Sequence, residues 1–201
     1  MFFSLDGLDG AGKSTQLQLL EQWLAERGHE VMVCRDPGTT AVGEAIRTLL
    51  LDVRNDSLSR RAEMLLYMAA RAQLVDEVIS PALAAGKMVL CDRYLLANVV
   101  YQGHAAGLDV EELWQIGHLA TRGVMPDLTL VLDIAPEAAR ERMSRPLDRM
   151  ELAGEAFRRR VRDGFLVEAA NHPDTIKVID AARSIDQVQA ELQAAVLAVL
   201  R

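Results

Sequence analysis

Several things are scarce in this 201-residue sequence, and each scarcity closes off a class of function. No run approaches ~18 uninterrupted apolar residues, so no membrane span is expected. The chain does not open on a basic region followed by a long apolar segment, so no signal peptide is expected and the cytoplasm is the default location. There are only two cysteines, Cys34 and Cys91, each inside a predicted buried strand. They read as small core hydrophobes in a reducing compartment, not as a disulfide framework. No Cys/His cluster has metal-ligand spacing. Basic charge is also short. A formal net charge of -7 argues against non-specific nucleic-acid binding, while leaving room for an arginine-lined pocket for a small phosphate. Repeats, low-complexity tracts and Pro/Gly/Ser-rich linkers are missing. With 50% hydrophobic residues, the chain is read as one well-buried domain over 1–201.

What is present begins at residue 7. Gly7-Leu8-Asp9-Gly10-Ala11-Gly12-Lys13-Ser14 matches G-x-x-x-x-G-K-[ST] in full, and Thr15 follows. An apolar run, Phe2–Leu5, precedes it, and a helical pattern of Leu17, Leu20 and Leu24 follows. That context separates a phosphate-binding loop from a chance glycine-rich turn. Backbone N–H groups of Gly7, Asp9, Gly10, Ala11 and Gly12 can curl around a polyphosphate at the positive end of a helix. Lys13 would reach the β- and γ-phosphates, and the Ser14 hydroxyl would sit on Mg²⁺.

Short apolar runs alternate with longer helical patterns, which predicts an α/β fold: a five-stranded parallel sheet with helices on both faces. Strands are expected at Phe2–Leu5, Val31–Arg35, Met88–Asp92, Leu128–Asp133 and Thr175–Asp180. Helices are expected at Ser14–Arg27, Ala41–Leu51, Ser57–Ala84, Leu95–Gln102, Val110–Arg122, Pro136–Met143, Glu155–Asn171 and Ile185–Leu200. Pro81 should end or kink the long third helix. Strands ending in Asp6, Arg35, Asp92 and Asp133 put charge where ligands gather in such sheets, although polarity returns at strand ends in any case.

Asp92 is the best candidate for a strand-end carboxylate that helps hold Mg²⁺, and Arg93 beside it suits a transferring phosphoryl group. Arg35, followed by Asp36-Pro37-Gly38, suits a phosphate contact, but by itself reads rather as an ordinary strand-to-helix turn with a solvated arginine. Tyr67 and Arg71 share a helix face. From spacing alone they read as a packed tyrosine and a surface ion-pair partner. Arg140, Arg142, Arg145 and Arg149 fall within ten residues and suggest a mobile basic lid, placed at about 142–153.

Together these pieces resemble the bacterial thymidylate kinases over essentially the whole chain. The blocks that carry the resemblance occur in that family's order: the phosphate loop, Arg-Asp-Pro-Gly, Tyr-Met-Ala-Ala-Arg, Asp-Arg-Tyr with Ala-Asn-Val-Val-Tyr-Gln-Gly, Pro-Asp-Leu-Thr-Leu-Val-Leu-Asp, and Leu-Asp-Arg-Met-Glu. The resemblance implies a P-loop kinase that moves the γ-phosphoryl of Mg·ATP to dTMP, working as a homodimer. It implies that Asp9 binds the sugar 3′-hydroxyl, that Arg35 and Arg93 clamp the acceptor phosphate, and that Tyr67 stacks on thymine while Arg71 donates to its O4. Asn98 and Gln102 would complete base recognition, and Tyr101 would crowd the 2′ position. Gly10 in the loop with arginines in the lid matches the bacterial arrangement, with Arg145 and then Arg149 as the lid arginines on the phosphates. A cis peptide before Pro37 and adenine near Asp180-Ala181-Ala182 are implied as well. The chain departs from the family at Asp36 (usually Glu), Ala97 (often Ser) and Val100 (often Ala).

The competing readings are a kinase for another pyrimidine monophosphate and a nucleotide-binding regulatory GTPase. The GTPase would need Asp-x-x-Gly at a strand end and Asn-Lys-x-Asp. Asn171-His172-Pro173-Asp174 lacks the lysine.

Overall fold

A computed structural model describes residues 1–55, 57–143 and 154–200. Five strands, β1 (Phe2–Gly7), β2 (Val31–Arg35), β3 (Met88–Asp92), β4 (Leu128–Asp133) and β5 (Ile176–Asp180), form one all-parallel sheet in the order β2-β3-β1-β4-β5. The helices are α1 (Lys13–Ala25), α2 (Ala41–Leu51), α3 (Arg60–Leu74), α4 (Ser80–Ala84), α5 (Leu95–Asn98), α6 (Val110–Thr121), α7 (Pro136–Glu141), α8 (Glu155–Asn171) and α9 (Ile185–Val199). No helix among the described residues is long and apolar enough to cross a membrane.

Alternate strand residues point to opposite faces, and the core divides accordingly. Phe3, Leu5 and Leu90 join α1, α8 and α9 on one face. Phe2, Val89 and Cys91 join α3 and α6 on the other. Both cysteines are free and buried, paired in register across β2 and β3.

Two predicted helices are in fact interrupted. The expected helix Ser57–Ala84 begins at Arg60, capped by Ser59, and widens into a π-helical stretch at Val75–Ile79. Pro81 lacks an N–H and its ring would crowd the carbonyl four residues back. The wide turn upstream absorbs this, and Pro81 then falls in the first turn of α4. The expected Leu95–Gln102 helix is regular only to Asn98 and continues as a π-helical stretch, Val99–Ala105. The extra residue in that turn re-aims the side chains after Asn98, among them Tyr101 and Gln102.

Candidate active site

β1 is central, flanked by β3 and β4; the chain runs from β1 out to β2, returns to β3, and then crosses over β1 to β4. That reversal opens a crevice beyond the carboxyl ends of the strands. Two cavities lie there. The larger, about 760 Å³, follows the phosphate loop and reaches Arg142, Ala181 and Ser184. The smaller, about 70 Å³, lies between α2, α3 and the Val99–Ala105 stretch.

The larger cavity is built on the loop between β1 and α1. Gly12 caps α1 with φ 96°, a left-handed backbone that glycine adopts freely. Gly10 allows a close approach, since a Cβ there would run into the carbonyl of Ala139 on α7. Asp9, Ala11, Ser14 and Thr15 line the cavity with them, whereas Gly7 does not border it. Lys13 is buried, and its ammonium donates to the carbonyls of Leu8 at 2.9 Å and Gly7 at 3.2 Å. Burial lowers its pKa, and Arg93 pushes the same way.

Asp6 sits at the end of β1, fully buried, with no hydrogen-bond partner on either carboxylate oxygen. Burial drives its pKa up to about 7, against the pull of Arg93 and Lys13. The native state therefore holds this proton more tightly than the unfolded chain. Stability on this account falls as pH rises from 3.8 towards 7 and stays lowered above it. That gap corresponds to roughly 4 kcal/mol. Asp6→Asn removes the titration, so its stability relative to the parent should climb across that window and level off above it. Denaturant unfolding at about pH 4 and about pH 8 reads the difference; a gap unchanged by pH would refute the assignment.

Arg93 follows Asp92 directly, at φ 68°, a strained backbone for a non-glycine residue. Its Nη2 donates to Asp9 Oδ1 at 2.8 Å and to the Tyr101 hydroxyl at 3.3 Å, while Nη1 is buried without a partner. Burial opposes its charge, but Asp9 chiefly more than offsets this and holds the guanidinium above its usual pKa. Burial likewise keeps the Tyr101 phenol neutral, and it donates to Asp9 Oδ2 at 3.4 Å. Asp92 lines the larger cavity, and its Oδ1 is buried without a partner.

The floor of the smaller cavity is a chain of buried polar contacts. Arg71 Nε donates to Asp36 Oδ2 at 2.5 Å, and Nη1 donates to Asn98 Oδ1 at 3.0 Å. Asn98 Nδ2 donates to Gln102 Oε1 at 2.7 Å, and Gln102 Nε2 donates to Glu63 Oε1 at 2.8 Å. Arg71 is 1% exposed, so its reading as a surface ion-pair partner is corrected. Spacing alone concealed this because its carboxylate partner, Asp36, comes from the turn after β2. Tyr67 lines the same cavity, four residues before Arg71.

Arg35 ends β2. Its Nη2 donates to Glu44 Oε1 at 2.8 Å, and it lines only the larger cavity. Asp133 is engaged by Arg162 in a two-pronged pair at 2.7 and 2.8 Å and lines neither cavity. Of the predicted lid, Arg142 donates to the Ala181 carbonyl at 3.0 Å. Arg145 and Arg149 lie outside the described residues. The Asp36–Pro37 peptide is cis. Sequence reasoning missed Glu63, Asp36 and Arg47 as site residues. Glu63, Tyr67 and Arg71 recur every four residues on α3, a stripe that could have exposed Glu63.

The comparisons agree with one another. A family model described as Thymidylate kinase matches residues 5–192. A thymidylate kinase of Exiguobacterium sibiricum is 44% identical over 202 residues, covering 100% of this chain and 95% of that protein. One of Nitratidesulfovibrio vulgaris is 44% identical over 209 residues, covering 100% and 97%. The crystal structure of thymidylate kinase from Ehrlichia chaffeensis superposes with a TM-score of 0.79 at 30% identity, covering 98% of each chain.

Proposed function

The chain belongs to the thymidylate kinase family and phosphorylates dTMP to dTDP with Mg·ATP, and we propose that it does so as one domain with the two cavities as donor and acceptor sites. ATP occupies the larger cavity, with its phosphates on the loop from Asp9 to Thr15. The base and sugar of dTMP occupy the smaller one. The observation that carries this assignment is the Asp36–Arg71–Asn98–Gln102–Glu63 chain, a fixed polar edge at the floor of a pocket too small for a second polyphosphate. Arg71 and the Asn98–Gln102 amides face a pyrimidine edge, Tyr67 stacks on its ring, and Asp9 takes the 3′-hydroxyl beside Tyr101.

Phosphoryl transfer asks a protein mainly for positioning and charge neutralisation. The acceptor phosphate is already ionised near neutral pH, so no strong general base is required. Lys13 and Arg93 supply positive charge at the transfer point. The Ser14 hydroxyl and Asp92, whose Oδ1 has no protein partner, form the oxygen-only donor set that Mg²⁺ prefers, and they would hold it directly or through water. Held there, Mg²⁺ would supply charge neutralisation to the phosphates.

The buried free cysteines suit a reducing cytoplasm. Val42 and Leu49 on α2 and Leu65 on α3 are exposed apolar residues on adjoining helices, and they support a homodimer joined through this face. A coupled ADP-release assay with dTMP, dUMP, dCMP, dGMP and dAMP tests the reading, with the same preparation expected to sediment as a dimer. The expected order is dTMP first and dUMP second, since one missing methyl costs only ~1–3 kcal/mol. A purine monophosphate turned over faster than dTMP would overturn the base assignment.

A further inference from the structure

The stretch Val99–Ala105 brings Tyr101 and Gln102 to the smaller cavity, yet it is π-helical, a form found mostly as single turns inserted into α-helices. Other elements must hold it in place. The Asn98–Gln102–Glu63 contacts fix its first part. Its far end rests on α8. Arg160 Nε donates to the Ala105 carbonyl at 3.0 Å. Gly164 lets α8 come close, since a Cβ there would stand 2.7 Å from the His104 Cβ. Phe157 and Phe165 meet the Tyr101 ring edge-on, with ring centres 6.2 and 6.3 Å away.

Four residues past Gly164, Glu168 is 2% exposed. Its Oε1 is hydrogen-bonded to His104 Nε2 at 2.7 Å. Its Oε2 accepts from Trp114 Nε1 of α6 at 3.0 Å, with His172 Nε2 at 3.5 Å. A carboxylate is costly to bury unless its oxygens are met, and both of these are. Apolar contact has no direction, whereas a hydrogen bond fixes where its partner sits. His104 comes three residues after Tyr101 and two after Gln102. Glu168, His104 and Trp114 line neither cavity, so any effect of theirs on a substrate passes through the stretch.

We infer that Glu168 is a positioning residue for the acceptor site: through His104 it fixes the far end of the Val99–Ala105 stretch, and so sets where Tyr101 and Gln102 stand against dTMP. This rests on the smaller cavity being the dTMP site. The donor cavity is built on the loop after β1 and the start of α9, so the effect should fall on one substrate and spare the other.

Steady-state kinetics of the full chain, with each substrate varied in turn, tests this. Glu168→Ala should raise KM for dTMP about tenfold and leave KM for ATP within about twofold. The amide of Glu168→Gln can still accept from Trp114 and donate to a neutral His104 ring, so its KM for dTMP should lie within about threefold of the parent. His104→Ala keeps the Cβ against Gly164 and removes only the ring. It should reproduce the Glu168→Ala shift, and it carries the comparison if Glu168→Ala folds poorly. The double alanine variant should be no worse than the worse single one, since both remove one contact. The inference is overturned if KM for dTMP stays within about twofold in the alanine variants, or if the two KM values rise together, which would make Glu168 a support for the fold alone. Additive losses in the double variant would also overturn it. If the parent chain does not turn over dTMP, the acceptor assignment fails and this role fails with it; turnover by the parent with an unmoved KM in the variants sinks the positioning role alone.

Discussion

Arg93→Met lowers kcat by roughly a thousandfold, with KM for ATP changed only a few-fold; this is the largest catalytic effect expected of any single substitution in the site. Three observations converge on it. Arg93 borders both cavities, so its charge stands where the phosphoryl group must cross. Its Nη1 is buried with no protein partner, a donor left for a ligand. Its backbone is held at φ 68°, a strain that the surrounding structure must sustain. Methionine keeps an unbranched apolar side chain where the Arg93 guanidinium carbon now lies 5.1 Å from the Tyr101 ring centre, and leaves Asp9 near Lys13, at 3.9 Å, so the fold should survive. Steady-state kinetics in both substrates checks this. A loss below about tenfold in kcat would mean the transition-state charge is met elsewhere.

The second large effect is on stability as well as binding. Arg71→Met should cost about 3–5 kcal/mol near neutral pH, because it leaves the Asp36 carboxylate buried without its counter-charge. Burial already raises the pKa of Asp36, with Arg71 resisting the rise. Without Arg71 the native pKa goes higher still. A carboxyl with a raised native pKa favours the fold at low pH and costs it stability as pH climbs towards that pKa. The deficit of Arg71→Met should therefore shrink in acid, where Asp36 takes up a proton. Adding Asp36→Asn should restore much of the loss, since both ends of the pair are then neutral. Affinity for dTMP should fall about a hundredfold in either case, because the base edge is gone. Thermal unfolding of the single and double variants across pH decides the matter. Equal losses at all pH values, with no recovery in the double variant, would show that packing and not charge is at stake.

The sequence exposed what is local and hid what is assembled. The phosphate loop was legible because Gly7 to Ser14 is a continuous stretch whose chemistry needs no outside partner. The sheet was legible because strands covered on both faces are short and uniformly apolar. Arg71 could not be placed from spacing alone, since Asp36 lies 35 residues away and reaches it only once α3 packs beneath the β2 turn. Glu63 was hidden for the same reason, as its partner Gln102 is 39 residues distant. The two π-helical stretches escaped because a 3.6-residue period cannot show one added residue. In the second of them, that residue decides where Tyr101 and Gln102 point.

Asp9, Asp36, Arg47 and Arg93 border both cavities, and both carboxylates are already paired, Asp9 with Arg93 and Asp36 with Arg71. A bare inorganic anion entering this constriction must compete with Asp9 for Arg93. To win Arg93 it must leave Asp9 to Lys13, 3.9 Å away, and to the Tyr101 hydroxyl. A nucleotide escapes that dilemma, because its sugar hydroxyl can satisfy Asp9 as its phosphate draws the arginine away. Inorganic phosphate should therefore compete only weakly with dTMP, because the Asp9–Arg93 pair must open to admit either.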